Sequence, residues 1–330
     1  MKYSEGYGIS LATAAFGACL AAAVAAPASA QTAYPERNVK FVVAFAPGGP
    51  TDVAARIVAE AIGAKWGKTI VIENRGGAGG NIAAGAVSRA DPDGYTALVT
   101  TSSLAVNLSL RANPGFTAES LRPVAFVATT PNIILANNNV PAKDLKELIA
   151  LARKEKYGFA TAGTGTTPHL SAERIFNLIG KAGLAQVPYK GAGPAMNDIV
   201  AGHVKLAVVA MTPAVPLVKS GKMKAFAVTS AKRTPALPDV PTVAETGIAK
   251  IDDQTWVAIF LPAKTPDAIA ARINEATNQV LADPAVAKRI QAAGLEPMGG
   301  KLADARSFLN AEIKSWAEVI SAIGLRTDKK

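Results

Sequence analysis

Two short stretches of the chain combine small residues, hydroxyls and a helix start in a way that suits an anion. The first is Phe45-Ala46-Pro47-Gly48-Gly49-Pro50-Thr51-Asp52, and the second is Ala162-Gly163-Thr164-Gly165-Thr166-Thr167-Pro168-His169. Each follows a short apolar run of β character and precedes a helical period. At such a junction the first turn of the helix presents unpaired N–H groups and the positive end of its dipole. Glycines let a ligand come close to the backbone, and threonine hydroxyls add donors without adding charge. The chemistry this favours is retention of an anion, a carboxylate above all. One such turn is usually an ordinary βα connection whose Gly and Pro serve backbone geometry; two in one chain favour binding.

Other chemistries lack their residues or their spacing. The second stretch begins like a dinucleotide fingerprint but runs into Pro168, and no acidic residue closes a strand about 20 residues later. Gly63–Thr69 (GAKWGKT) is one residue short of a phosphate loop and lies after a helix and before a strand, the reverse of the order a phosphate cradle needs. Gly76–Gly80 (GGAGG) precedes a helix and suits either a ligand contact or a tight approach between two backbone segments. His169 and His203 are the two histidines, too few for a three-ligand metal site, and His169 after Pro168 reads as a capping or packing residue. There is no Gly-x-Ser-x-Gly elbow, and the single cysteine, Cys19, falls in an N-terminal apolar run. Asp91 and Asp93 around Pro92 read as a tight turn. With no forced pair of carboxylates either, the chain is not expected to be an enzyme, and no metal or cofactor is expected.

The elements that must carry the two stretches alternate. Val39–Phe45 reads as a strand, followed by a helix from Thr51 or Asp52 to about Gly67, a strand at Thr69–Glu73, a helix at Gly80–Arg89 and a strand at Thr96–Thr101. A second series starts near Asn132, with strands at Ile133–Ala136, Gly158–Ala162, Ala185–Pro188, Leu206–Ala210 and Ala225–Thr229. Helices at Ala142–Lys154, Thr167–Ile179, Pro194–Ala201 and Val215–Ser220 alternate with them. Trp256–Leu261 is a further strand, and helices at Pro266–Ala282 and Ala303–Ile323 end the chain. The alternation indicates βαβ units and a mostly parallel sheet, hence an α/β class. Two strands without hairpin partners, near Asn132–Ala136 and Trp256–Leu261, suit a chain that crosses from one lobe to another and back. That gives a discontinuous first lobe, residues 31–131 plus 254–330, a second lobe of residues 132–253, and a cleft between them.

The N-terminus supplies the context. Lys2 precedes an apolar run from Ile9 to Ala26, and Ala28-Ser29-Ala30 provides the small residues a signal peptidase needs, so cleavage is expected after Ala30 and the product outside the cytoplasm. The run is Ala-rich and ends at Pro27, a poor membrane span; Cys19 as a lipidation site is a lesser alternative. The 330 residues carry 35 Lys+Arg against 25 Asp+Glu, a formal +10, which one Lys and one Glu in the leader leave unchanged. The basic residues are mostly scattered, in short groups such as Arg153-Lys154-Glu155-Lys156 and the terminal Lys329-Lys330, with no aromatic interleaving. Nucleic acid is therefore not an expected partner, and a diffuse positive field suits attraction of small anions.

Four segments carry a resemblance: Tyr34–Arg56 (YPERNVKFVVAFAPGGPTDVAAR), Ile72–Thr96 (IENRGGAGGNIAAGAVSRADPDGYT), Val187–Val204 (VPYKGAGPAMNDIVAGHV) and Ala227–Gly247 (AVTSAKRTPALPDVPTVAETG). In order and separation they resemble the signatures of the Bug-type extracytoplasmic receptors, the substrate-binding proteins of tripartite tricarboxylate transporters, over essentially the whole mature chain. The resemblance implies a type II periplasmic-binding-protein fold: two α/β lobes, two crossover strands, and a closed form that traps a small carboxylate between the loops through backbone groups and waters. Carried over by motif, it places Phe45, Ala46, Gly48, Gly49 and Asp52 on one wall of the cleft. Ala162, Gly163, Gly165, Thr166 and Thr167 fall on the other, with Thr101, Ser102, Tyr189 and Asp239 as further walls. It also implies a periplasmic protein, expected as a monomer, that delivers its ligand to membrane transporter subunits, with a sensor kinase as the alternative partner. Two departures from the family pattern stand out: Ala44 where Pro is usual before Phe45, and Lys205 where Asp is common, either near the cleft or on a surface.

Overall fold

The computed structural model describes Met1, Tyr3 and residues 34–325. The expected leader, Cys19 and the terminal lysine pair lie outside the described residues. In chain order the elements are β1 (Val39–Val43), α1 (Pro50–Trp66), β2 (Ile70–Asn74), α2 (Asn81–Val87), β3 (Thr96–Thr101), α3 (Ser103–Leu110) and β4 (Leu121–Asn137). Then follow α4 (Leu145–Glu155), β5 (Phe159–Thr161), α5 (Thr167–Ala172), β6 (Gln186–Pro188), α6 (Ala192–Ala201), β7 (Leu206–Ala210), α7 (Val215–Lys219) and β8 (Met223–Val228). The chain closes with β9 (Gln254–Pro262), α8 (Asp267–Leu281), α9 (Pro284–Ala292), β10 (Glu296–Pro297) and α10 (Ala305–Ile323).

The strands run in the order β2-β1-β3-β9-β4-β7-β5-β6, with β8 and β10 also paired to β4. β1, β2 and β3 are parallel, and β9 lies antiparallel between β3 and β4. β4 is the continuous spine. From Leu121 to Pro131 it pairs with β9, and from Asn132 to Ala136 it pairs with β7, on which β5 and β6 build in parallel. The strands thus form two α/β lobes, with β4 and β9 as the crossing strands.

Both faces of the second lobe's sheet are covered, as a parallel sheet flanked by helices requires. Alternate residues of one strand therefore enter different cores. Ile134 of β4 and Val208 of β7 pack with Phe159 and Phe176, whereas Ile133, Leu135 and Val209 pack with Met196 and Ile199 of α6. In the first lobe Val42, Leu98, Trp256 and Phe260 join Leu309 and Trp316 of α10. Each such fully buried aliphatic or aromatic side chain is worth roughly 1.5–3 kcal/mol of transfer free energy.

The sequence reading misses α3, the first half of β4, α9 and β10, and each has a local cause. Leu121–Pro131 contains Pro123 and Pro131, which argue against an inner strand. The strand accommodates Pro123 where its register with β9 shifts, and places Pro131 where it changes partner. In α3, Ser103, Leu104, Ala105, Val106, Asn107 and Leu110 are all buried, so no polar face marks a helical period. The helix expected from Ala142 begins instead at Leu145, because the Asp144 carboxylate caps it by accepting from the Glu147 N–H at 2.8 Å. The helix expected over Thr167–Ile179 is α5 followed by a π-helical turn, Glu173–Ile179, that buries Ile175 and Phe176.

Candidate functional site

In an α/β sheet ligands bind beyond the carboxyl ends of the strands. β1 and β3 of the first lobe and β5, β6 and β7 of the second all end at the same cleft, because β4 reverses its relation to the sheet on passing between lobes.

The first loop leaves β1 at Ala44. Phe45 is buried, and the Ala46 N–H donates to the Lys190 carbonyl of the second lobe at 3.0 Å. Gly48 turns the chain at φ +87°, a conformation costly for any residue with a Cβ, and its N–H donates to Asp52 Oδ2 at 3.1 Å. Asp52 is 4% exposed and holds the loop by further bonds: Arg56 Nε donates to both its oxygens at 3.1 Å, and Asn74 Nδ2 donates to Oδ1 at 2.9 Å. Burial by itself raises the pKa of this carboxyl, but Arg56, Asn74 and Gly48 outweigh it and hold the pKa below the usual carboxylate value. Asp52 is thus an internal anchor, neutralised by Arg56. α1 starts after Gly49 with no side-chain cap, and with Pro50 first the N–H groups of Thr51 and Asp52 belong to the unpaired first turn.

The second loop is held mainly by neutral groups, with the Glu173 carboxylate behind it through His169, whose Nε2 lies 3.6 Å from Glu173 Oε1. The Gly163 N–H donates to Thr161 Oγ1 at 3.2 Å, and Thr166 Oγ1 donates to the Gly163 carbonyl at 2.8 Å. The Gly165 N–H points at Nδ1 of buried His169 at 3.4 Å, so His169 packs beneath the loop and braces it without capping the helix. Thr164 Oγ1 donates to Gln186 Oε1 at 2.9 Å, and the hydroxyls of Thr167 and Thr255 bond each other. Ala162 is half-buried at the start of the loop. The donor set expected of Thr164, Thr166 and Thr167 is therefore engaged within the protein, and it is the loop's backbone that faces the cleft. α5, like α1, starts without a side-chain cap.

The lobes meet backbone on backbone. A Cβ added at Gly193 would lie 2.3 Å from the Pro47 carbonyl oxygen, one at Gly76 would lie 2.6 Å from that of Lys190, and one at Gly79 would lie 2.4 Å from that of Thr164. The run Gly76–Gly80, left open between ligand contact and backbone approach, makes a backbone approach. Asn107, fully buried on α3, closes the seam: its Nδ2 donates to Ser103 O in its own lobe and to Gly165 O in the other, both at 2.8 Å, while Arg111 Nε donates to its Oδ1.

The additional walls divide. Thr101 is buried at the end of β3 and its hydroxyl bonds that of Ser103 at 2.8 Å; Ser102 Oγ reaches Thr167 Oγ1 across the cleft at 3.4 Å. Tyr189 lies on the connection after β6 and donates its hydroxyl to Asp198 Oδ2 at 2.6 Å; burial first, and then that bond, push its pKa up to about 12, so it remains a neutral phenol. Asp239 is exposed on the connection between β8 and β9, whose Leu237 and Val240 anchor to the α6 side of the second lobe, and it makes no hydrogen bond to either loop among the described residues. Ala44 is fully buried, and Lys205 precedes β7, at the end of that strand remote from the cleft. Sequence reasoning passed over Asn74 and Asn107. Both stand where a side-chain amide can satisfy a loop carbonyl, a role with no spacing signature.

The profile of the tripartite tricarboxylate transporter family receptor matches residues 54–325. The chain belongs to that family. This receptor is 36% identical over 310 residues to protein BugT of Bordetella pertussis, a match that covers 92% of this chain and 94% of BugT. Its fold superposes on the solved periplasmic binding protein BugD with a TM-score of 0.84 and 36% identity, over 89% of this chain and 99% of BugD. MatC from Rhodopseudomonas palustris, solved with bound malate, gives a TM-score of 0.81 at 31% identity, over 87% of this chain and all of MatC. Family and fold are those of solute-binding receptors, and among the described residues no helix is long and apolar enough to cross a membrane.

Proposed function

We propose that this receptor captures a small organic carboxylate between its lobes in the periplasm and delivers it, as a monomer, to the membrane subunits of a tripartite transporter. The observation that carries the reading is the pair of uncapped helix starts, α1 and α5, one from each lobe, at neutral loops that meet across the cleft. Two sets of oriented N–H groups suit one carboxylate, and the absence of an unpaired charge on either loop lets the backbone rather than a cation define it. Malate bound to MatC is an acid of the proposed class. The lobes are assigned as residues 31–131 with 254–330, and 132–253. Phe45, Ala46, Gly48 and Gly49 form one wall and Ala162, Gly163, Gly165, Thr166 and Thr167 the other; Asp52, Thr101 and Ser102 support them from behind. The net charge of +10 assists encounter, and the loops do the holding.

A thermal-shift screen over mono-, di-, tri- and aromatic carboxylates tests this. A ligand present at 100 times its dissociation constant is expected to stabilise the protein by about 2.7 kcal/mol, a rise of several degrees in Tm. No shift with any acid of the panel overturns the reading.

A further inference from the structure

Among the described residues two buried side-chain hydroxyls have no hydrogen-bond partner, Thr212 and Thr265. Buried polar groups in folded proteins are nearly always paired, so each needs a reason. Their positions differ. Thr265 follows β9, which runs antiparallel to β3 and pairs Phe260 with Leu98, so it lies at the sheet edge away from the cleft. Thr212 follows β7, parallel to β5 and its neighbour in the sheet. Thr212 opens the turn at the carboxyl end of β7, the end that faces the cleft, just after Met211, whose N–H donates to the Pro131 carbonyl at the crossing.

Thr212 is 5% exposed. The local donors that a threonine at a helix start ordinarily accepts from are taken: the N–H groups of Ala214 and Val215 both donate to the Met211 carbonyl. Pro213 offers no N–H. The turn packs against α6, whose first residue, Ala192, sits 3.6 Å from where a Cβ on Gly49 of the first loop would be. Thr212 is thus a neutral donor and acceptor with no protein partner at the cleft edge, whereas the hydroxyls of Thr101, Thr164, Thr166 and Thr167 are engaged.

We propose that the Thr212 hydroxyl reads the far end of the ligand, hydrogen-bonding a second oxygen function, a hydroxyl or a further carboxylate, on an acid whose first carboxylate the loops hold. This rests on the carboxylate-receptor reading above. It predicts a receptor that prefers acids with an oxygen at each end over monocarboxylates of equal length.

Isothermal titration of the wild type, Thr212→Val and Thr212→Ser with succinate against butyrate, adipate against hexanoate, and 4-hydroxybenzoate against benzoate tests it. For the pair that fits the cleft, the wild type is expected to favour the doubly oxygenated acid. Thr212→Val should weaken that acid about tenfold, equivalent to about 1.4 kcal/mol, and leave the monocarboxylate within about twofold; Thr212→Ser should behave as the wild type. A hydroxyl held for structure would destabilise the free protein when lost; the free Thr212→Val protein is instead expected to melt at or above the wild-type temperature. Unchanged affinity in Thr212→Val, an equal loss for both acids of a pair, or a lower Tm overturns the Thr212 assignment alone. Failure of the wild type to bind any of the six acids overturns this assignment; failure over the whole thermal-shift panel overturns the receptor reading with it.

Discussion

The two loops face one cleft but are built on different plans. Apart from the Ala46 N–H, which donates to the Lys190 carbonyl of the other lobe, the first is held within its own lobe. Asp52, Arg56, Asn74 and the backbone of Phe45 and Gly48 all belong to one lobe, so its shape is fixed whether or not the lobes are together. The second takes part of its support from across the cleft, where Asn107 of α3 donates to the Gly165 carbonyl and Ser102 reaches Thr167. One wall is a preformed template, and the other is completed by closure. Binding energy in such an arrangement depends on how freely the lobes can meet, as well as on the groups that touch the ligand.

The sharpest way to break this distinction is Gly193→Ala. The new methyl would meet the Pro47 carbonyl across the seam, while within α6 alanine is the better helix former by roughly 0.5–1 kcal/mol. Affinity for whichever acid the thermal screen selects is expected to fall about 100-fold, as the closed population falls, with the Tm of the free protein unchanged or higher. Undiminished affinity in a calorimetric titration would remove the seam from the binding mechanism.

Asp52→Ala should act in the opposite sense, damaging the template itself. Loss of a buried carboxylate with several donors is expected to cost about 2–3 kcal/mol in urea unfolding, and to weaken binding as well. The pH dependence follows from the lowered pKa of Asp52. The stability it contributes is present above the ordinary carboxylate value, about 4, and is lost as pH falls through the lower folded value. A variant whose unfolding curves match the wild type at pH 7 would refute the anchor role.

Asp253, buried at the crossover, offers the converse and smallest effect. It accepts from Ser171 Oγ at 2.9 Å and faces Arg174 at 3.4 Å, yet burial dominates and pushes its pKa up. A raised carboxyl pKa means that the ionised form costs stability above the folded value, a cost that disappears as pH falls through it. Asp253→Asn is therefore expected to be neutral, or stabilising by up to about 1 kcal/mol, at pH 7, with no gain in acid. Destabilisation as large as that of Asp52→Ala would show that the charge is needed.

What could be read from the residues alone divides along similar lines. The strand–loop–helix junctions were legible because Gly48-Gly49-Pro50 and Gly163–Pro168 carry turn and helix-start chemistry in consecutive positions, and the alternation of elements gave the lobes. Asn107 was not legible, because its partners, Gly165 and Ser103, are far apart in the chain or local to a helix with no polar face. The part played by Gly193 depends on Pro47, which no spacing could place opposite it. Nor could the internal engagement of Thr166 and Thr167 be foreseen, since a hydroxyl's partner is decided by tertiary packing. β4 was half seen, because its prolines mask a strand that uses them at a register shift and at a change of partner.

That spine has a mechanical consequence. On the first-lobe side of the crossing, β4 and β9 form an antiparallel ribbon whose pairing ends at Pro131 and Gln254. Such a ribbon flexes out of its plane with its ladder intact, but sliding one strand past the other would break every rung together. A joint set at the end of such a ribbon is expected to bend more readily than it shears, which would let the two loops part and return along one arc in alignment.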